Sequence, residues 1–290
     1  MDQTYEFKEV HAKTILTKCG IPGIDYVVNP YTGCRFGCTY CYASFMGRFL
    51  PNKSISDWGN YVYAKINAPE LLKIELTKLK NKGKDLEIFF SSVTDPYQGV
   101  EAKYELTRKC LQELITYGFK GVVSILTKSD LALRDIDLFK KLQCAVGLTV
   151  TSTDDNISRY FEKFAPNVNQ RFEALEKLNS EGIQTYAFIG PLLPHFVAFS
   201  DELENVFIKL SRIGTKKLFV EHLNLSPYIR KRLIDEMGNK SQKLIYKFYA
   251  SQNDGYRQEL DSIVTTLVQK YDMKLRTGGT ISHLSTKRKK

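Results

Sequence analysis

Short apolar runs that lack polar alternation constrain this chain more than any other feature. They are Leu86-Glu87-Ile88-Phe89-Phe90, Val122-Val123-Ser124-Ile125-Leu126, Ala145-Val146-Gly147-Leu148-Thr149-Val150, Thr185-Tyr186-Ala187-Phe188-Ile189 and Lys217-Leu218-Phe219-Val220. A strand with one wet face alternates apolar and polar residues, whereas a strand covered on both faces does not. The runs therefore predict a parallel sheet buried on both sides. Val27-Val28 predicts an earlier, shorter strand.

Amphipathic segments fill the gaps between the runs. Asn67 is placed to cap a helix with Pro69 in its first turn and Leu72, Leu76 and Leu79 on one side. Leu106, Cys110, Leu111, Leu114 and Ile115 share a face that ends at Gly118, and Ser129 heads a segment with Leu133, Ile136, Phe139 and Leu142. Phe172, Leu175 and Leu178 form a stripe ending near Gly182. Leu203, Val206, Phe207, Leu210 and Ile213 form another, closed by Gly214. Six strands with intervening helices make repeated βαβ units, which right-handed crossovers build into an open sheet or a full or partial barrel. Periodicity does not separate these, but in each the chemistry belongs at the C-terminal ends of the strands. After about residue 225 the alternation stops, residues 240–272 read as helical, and the sequence ends in Lys287-Arg288-Lys289-Lys290.

Composition narrows the class. An apolar share of 43% and a charged share of 26% exclude wholesale disorder. The net charge, 42 − 32 = +10, favours an anionic partner. No apolar run approaches the roughly 18 residues of a membrane helix. The polar start Met1-Asp2-Gln3-Thr4-Tyr5-Glu6 is unlike a secretory signal, so the expected compartment is the reducing cytoplasm. Six cysteines there imply metal binding or catalysis rather than a disulfide framework.

Three of them cluster in Asn29-Pro30-Tyr31-Thr32-Gly33-Cys34-Arg35-Phe36-Gly37-Cys38-Thr39-Tyr40-Cys41-Tyr42-Ala43, just after the first strand. A C-x3-C-x2-C loop can wrap three thiolates around one compact inorganic centre. Gly33 and Gly37 allow positive φ or close backbone approach, and backbone N–H groups can donate to sulfur. On a 4Fe–4S cube, three thiolates leave one iron free to chelate a small molecule. The alternative is a zinc-stabilised binding module with Cys19 or His11 as fourth ligand, although zinc loops usually pair C-x2-C units. Cys110 and Cys144 fall at core positions. Cys19 reads as a loop thiol, with hydrogen donation to a radical as its other reading.

The C-x3-C-x2-C array with Tyr40 before its third cysteine resembles the cluster motif of the radical S-adenosylmethionine (SAM) superfamily. The wider segment from Asn29 to Ala43, Thr94-Asp95-Pro96-Tyr97-Gln98 with Glu101, and Leu126-Thr127-Lys128-Ser129 resemble its photolyase-like group, relatives of spore photoproduct lyase. So does Glu162-x2-Ala165-Pro166 followed by Arg171. The resemblance runs from about residue 13 to 195. It implies an α/β fold, a partial (β/α)6 TIM-like barrel of parallel strands with a helical C-terminal extension. Residues 1–23 would lead in, 24–225 would form the radical SAM core, and 226–290 would form the extension with its basic tail.

The resemblance also implies roles. Cys34, Cys38 and Cys41 would hold a 4Fe–4S cluster. Tyr40 and Tyr42 would contact the adenosyl part of SAM, and Ser92, Thr94 and Asp95 its amino group. Lys128 would face the SAM carboxylate, Thr151 or Ser152 the ribose, and Gly190 the adenine. Tyr97, Gln98 and Arg171 are evenly balanced between function and structure. An external one-electron reductant of the flavodoxin or ferredoxin type would drive SAM cleavage to a 5′-deoxyadenosyl radical that abstracts hydrogen from an unidentified substrate. The alternative within the superfamily is a lyase that repairs or modifies nucleic acid, supported by the charge and by clusters such as Arg230-Lys231-Arg232. Spore photoproduct lyase itself is a poorer match, because its cysteine hydrogen donor near the end of the second strand is absent from Ile88-Phe89-Phe90-Ser91-Ser92.

Overall fold

A computed structural model describes residues 5–238 and 242–283. The basic run 287–290 lies outside the described residues. The strands, in chain order, are β1 (Glu6–Val10), β2 (Leu16–Lys18), β3 (Tyr26–Val28), β4 (Tyr31–Thr32), β5 (Tyr61–Lys65) and β6 (Glu87–Phe90). They continue as β7 (Val122–Thr127), β8 (Gln143–Thr149), β9 (Gln184–Leu192), β10 (Lys217–His222) and β11 (Lys274–Leu275).

The six expected strands, β3 and β6 to β10, lie side by side and parallel in chain order. β2 adds antiparallel to β3, and β11 adds parallel to β10. These two form the edges, so the sheet does not close on itself. Its parallel strands follow one another in a single direction, without the reversal of a doubly wound sheet, so the crossover helices share one face and the fold is the partial TIM-like barrel, which decides what periodicity left open. Its strands are apolar on both faces because helices cover one side and barrel side chains fill the other; Val123, Ile125, Val146, Leu148, Ile189 and Val220 are all fully buried.

The helices follow their stripes. Leu106–Tyr117 buries Leu106, Cys110, Leu111 and Leu114 and stops at Gly118 with φ 73°. Val168–Ser180 starts from a capping box between Asn167 and Gln170. Asp201–Arg212 buries Leu203, Val206, Phe207 and Leu210. The expectation for Asn67 is corrected. Helix Ala68–Leu76 has Pro69 in its first turn, but the Asn67 side chain does not cap it. That amide instead accepts from Ala12 N (2.8 Å) and donates to Ala12 O (3.0 Å), tying the lead segment to the barrel. Leu79 falls beyond this helix and is half-buried.

Two features were not foreseen. A small sheet of β1, β5 and β4 stands beside the barrel, and β4 runs directly into the cysteine loop. The C-terminal region supplies helices Pro227–Met237, Gln242–Ala250 and Asp254–Lys270, and also a strand. Ile229, Leu233, Phe248, Leu260 and Val264 belong to the same buried core as the barrel. β11 then lengthens the sheet, and Ile281 bridges Glu221 at the end of β10.

Candidate functional site

The cysteine loop begins where β4 ends and lies at the C-terminal end of the parallel strands. Gly33 takes φ 83°, and a Cβ there would stand 2.4 Å from Tyr61 O. Gly37 takes φ 63° against the backbone of Gly59, where a Cβ would approach Gly37 Cα to 2.9 Å. Only glycine satisfies both conditions. Thr39 N donates to Phe161 O (2.9 Å) and Phe164 N to Phe36 O (3.4 Å), fastening the loop to the segment after β8.

Cys34 and Cys38 are buried and Cys41 is half-buried; all six cysteines are free thiols. Burial pushes the three loop thiols above their ordinary value, Cys38 to about 12. The N–H groups of Phe36 and Ala43 donate to the Cys34 and Cys41 sulfurs and oppose that rise. Lys128 acts in the same sense on Cys38 and Cys41, and Arg171 on Cys38. A metal centre held here would displace the thiol protons to solvent, and the nearby cations would favour the thiolates left behind.

Behind Tyr40 lies a buried charged hub. Glu162 accepts from the Tyr40 phenol, from Ser158 Oγ (3.0 Å) and from Thr151 Oγ1 (3.2 Å). It pairs with Arg171 at 2.5 Å, and Lys128 Nζ stands 3.9 Å away. Burial alone would raise the Glu162 carboxyl, but the charges of Arg171 and Lys128 and the Tyr40 hydrogen bond pull it down to about 2. Lys128 Nζ also sits 5.7 Å from the Tyr40 ring centre. Burial lowers the affinity of Lys128 for its proton, but Cys38 and Glu162 reverse this and leave the ammonium held more firmly than usual. Arg171 is buried rather than solvated.

The end of β6 is equally constrained. Asp95 is buried and accepts from Tyr97 N (2.9 Å), Thr127 Oγ1 (2.6 Å) and Lys128 N (2.9 Å), which splices the β6 loop to the end of β7. Thr94 Oγ1 donates to Gly33 O (2.5 Å). Gln98 spans the loop, with Nε2 donating to Gly33 O (3.2 Å) and Oε1 accepting from Arg35 N (2.8 Å). Ser92 Oγ accepts from Asn29 Nδ2 (3.4 Å), and its carbonyl accepts from the Tyr42 phenol. Tyr97 donates to Asp135 (3.0 Å), and Glu101 accepts from the Tyr31 phenol and Arg134 (2.8 Å). These last two residues belong to a supporting polar network.

Two further expected contacts have partners within the protein. Ser152 Oγ donates to Glu202 (2.9 Å) at the start of helix Asp201–Arg212. Gly190 lies where a Cβ would meet Phe188 Cε1 at 2.7 Å and Glu221 Cβ at 2.9 Å. Cys19 follows β2, and its N–H donates to Asp25 O (3.0 Å) just before β3. A cleft of about 560 Å³ lined by Cys144, Gln143 and Gln184 lies at the N-terminal ends of the strands, on the opposite face.

Sequence reasoning missed Tyr228 and misplaced Arg232. Tyr228 OH donates to Tyr42 O (3.2 Å), and Arg232 Nη2 donates to Cys38 O (3.3 Å). The basic cluster at 230–232 is thus dispersed: Arg232 is turned onto the loop, and Lys231 pairs with Asp235 at 2.6 Å. The available signal was helical spacing, which sets Arg232 beside the buried Ile229 and Leu233.

The sequence profile of the Radical SAM superfamily matches residues 28–197, which include the whole cysteine loop and the Glu162–Arg171 hub. The chain belongs to the radical SAM superfamily. An uncharacterized protein of Methanocaldococcus jannaschii is 34% identical over 93% of this chain and 96% of its own length. A radical SAM Nalpha-GlyT isomerase of Pseudomonas phage M6 is 21% identical over 81% of this chain and 48% of its own length. Among solved structures, spore photoproduct lyase complexed with dinucleoside spore photoproduct superposes with a TM-score of 0.68 at 13% identity, over 96% of this chain and 82% of that one. Streptococcus suis SuiB bound to S-adenosylmethionine gives 0.56 at 10% identity, over 97% and 51%. At these identities the structures share the fold.

Radical SAM membership supports an enzyme and implies a 4Fe–4S cluster and SAM. The residues present fit both. Three thiols share one loop with N–H donors and cations around them. At the end of β6, Ser91 holds a left-handed backbone (φ 69°) uncommon for serine, and its hydroxyl is buried without a partner. A single zinc ion fits less well, since no three His, Cys, Asp or Glu side chains among the described residues converge on one ion. A cube asks for something different, with its ligands standing apart at separate iron corners.

Proposed function

We propose that this is a single-cluster radical SAM enzyme in which Cys34, Cys38 and Cys41 hold the 4Fe–4S cluster. When bound, cluster and SAM supply a 5′-deoxyadenosyl radical able to abstract hydrogen from a substrate. The supporting observation is the three-thiol loop held at the strand C-termini by Gln98, Thr94 and the Phe161 backbone. The chain's own residues position and shield. Tyr40 and Lys128, fixed by Glu162, present a buried ring and a fixed cation beside the loop. Ser91, Ser92, Thr94 and Asp95 close the β6 side, where the free Ser91 hydroxyl is the donor ready for a polar ligand. Tyr42, Ser152 and Gly190 shape the rest of the rim, partly through their own protein partners. Residues 24–225 form the catalytic unit, 226–290 the extension, and helix Pro227–Met237 of that extension covers the loop. The electron comes from an external flavodoxin- or ferredoxin-type carrier, and a reducing cytoplasm suits such a centre.

The test is anaerobic reconstitution, reduction and assay for 5′-deoxyadenosine. Wild type should form it, and Cys38→Ala should not; an undiminished yield from Cys38→Ala would reject the assignment. A second reading makes nucleic acid the substrate. It is favoured by the net charge of +10 and by the fold shared with a lyase solved with a dinucleoside photoproduct. Serine rather than cysteine at the end of β6 speaks against that lyase's own reaction. Binding of DNA or RNA that weakens steeply with salt would support this reading.

A further inference from the structure

We infer that Arg232 sets the reduction potential of the cluster: the C-terminal extension delivers a cation against the cysteine loop to offset the negative charge of the bound centre. The inference rests on the reading that Cys34, Cys38 and Cys41 hold that centre.

Helix Pro227–Met237 buries Ile229, Leu233 and Met237. Arg232 lies beside this stripe, and its guanidinium turns onto the loop. Nη2 donates to Cys38 O (3.3 Å) and Nη1 to Ile55 O (3.1 Å). The group is partly buried, and it lies within electrostatic range of the Cys38 and Cys41 thiols. Among the described residues no carboxylate forms an ion pair with it. Glu236, one turn further along the helix, is engaged by Lys163 at 2.7 Å. Two further cations that face the thiols, Lys128 and Arg171, both pair with Glu162. Unlike those two, Arg232 forms no ion pair of its own among the described residues, and the one carboxylate whose charge is shown to reach it, Glu236, is already engaged by Lys163.

A partly desolvated cation is unfavourable unless an anion stands nearby. Three thiolates on a 4Fe–4S cube supply one. An oxidised cube with a doubly positive core and three thiolates is a monoanion, and an electron from the external carrier makes it a dianion. No bond forms or breaks in that step. A fixed positive charge beside the loop favours the dianion and so raises the potential. Arg232 is a positioning charge, and it lies outside the segment that the superfamily profile matches.

The test loads wild type, Arg232→Gln and Arg232→Lys anaerobically, confirms equal iron per chain, and titrates each cluster by the electron paramagnetic resonance of its reduced state. The Gln variant should be about tenfold harder to reduce, which is about 59 mV for a one-electron couple. The Lys variant keeps the charge and should stay within about twofold of wild type. Equal potentials in wild type and the Gln variant overturn the inference. So does an equal fall in both variants, which would assign the effect to the two lost backbone hydrogen bonds. If the Gln variant takes up no iron, apoprotein melting decides. An uncompensated charge predicts that it melts no lower than wild type, whereas a lower Tm makes Arg232 a structural clamp. A wild type that takes up no iron overturns the cluster reading itself.

Discussion

Arg171 and Glu162 form an ion pair of 2.5 Å in which neither side chain reaches solvent, and the same carboxylate receives the Tyr40 phenol from between Cys38 and Cys41. A buried pair contributes little net stability over an apolar substitute, but removing one partner strands the other charge. Arg171→Met should therefore cost about 3–5 kcal/mol of apoprotein stability by urea unfolding. A cost under about 1 kcal/mol would mean that the hub is not what holds this side of the loop.

Acid should expose the same carboxylate. Its folded value near 2 lies below the ordinary 4.5. Glu162 thus contributes stability that is complete above about pH 4.5 and is lost as pH falls toward 2. The apoprotein of Glu162→Gln should be less stable at neutral pH. Its stability should also fall less between pH 4.5 and 2 than that of wild type. Parallel pH profiles would count against the assignment.

Asp95 has three donors aimed at its two oxygens. Asp95→Ala leaves buried donors without an acceptor and should lower apoprotein stability by about 3 kcal/mol. A variant as stable as wild type that has lost SAM affinity would instead make Asp95 a direct ligand contact.

Gly190→Ala should cost about 1–3 kcal/mol through the clash with Phe188 and Glu221. Adding Phe188→Leu should recover part of the loss, because Phe188 Cε1 is the atom closest to the new methyl group. No recovery would point away from packing as the reason for glycine here.

Gln98 grips both ends of the stretch from Gly33 to Arg35, which contains Cys34. Gln98→Ala should weaken iron retention about tenfold against a chelator, with the fold intact by circular dichroism. Retention equal to wild type would show that Thr94 and the backbone contacts suffice.

The sequence made the barrel strands legible because burial on both faces leaves an apolar run that needs no partner to be recognised. The cysteine loop was legible because its chemistry lies in its own spacing. The hub was visible only as fragments: Tyr40 and Glu162 stand 122 positions apart, and nothing local says that they meet. Lys128 and Asp95 were rightly placed at strand ends, yet their protein partners across the loops could not be read from β7 or β6 alone. Arg232 looked like one of three solvated cations because its neighbours Arg230 and Lys231 share its charge and not its direction. Ser152 and Gly190 were chosen for their position at strand ends; Ser152 is engaged by Glu202, 50 positions away, and Gly190 lies inside β9, two positions from the Phe188 ring that fills the space of a side chain there.

The covering of the loop by Tyr228 and Arg232 joins residues 186 and 194 positions apart. During translation the thiols emerge well before the helix that shelters them. For most of its synthesis the nascent chain thus presents naked cysteines to whatever oxidant or delivery factor surrounds the ribosome. Premature termination anywhere before Pro227 would release a loop without its roof.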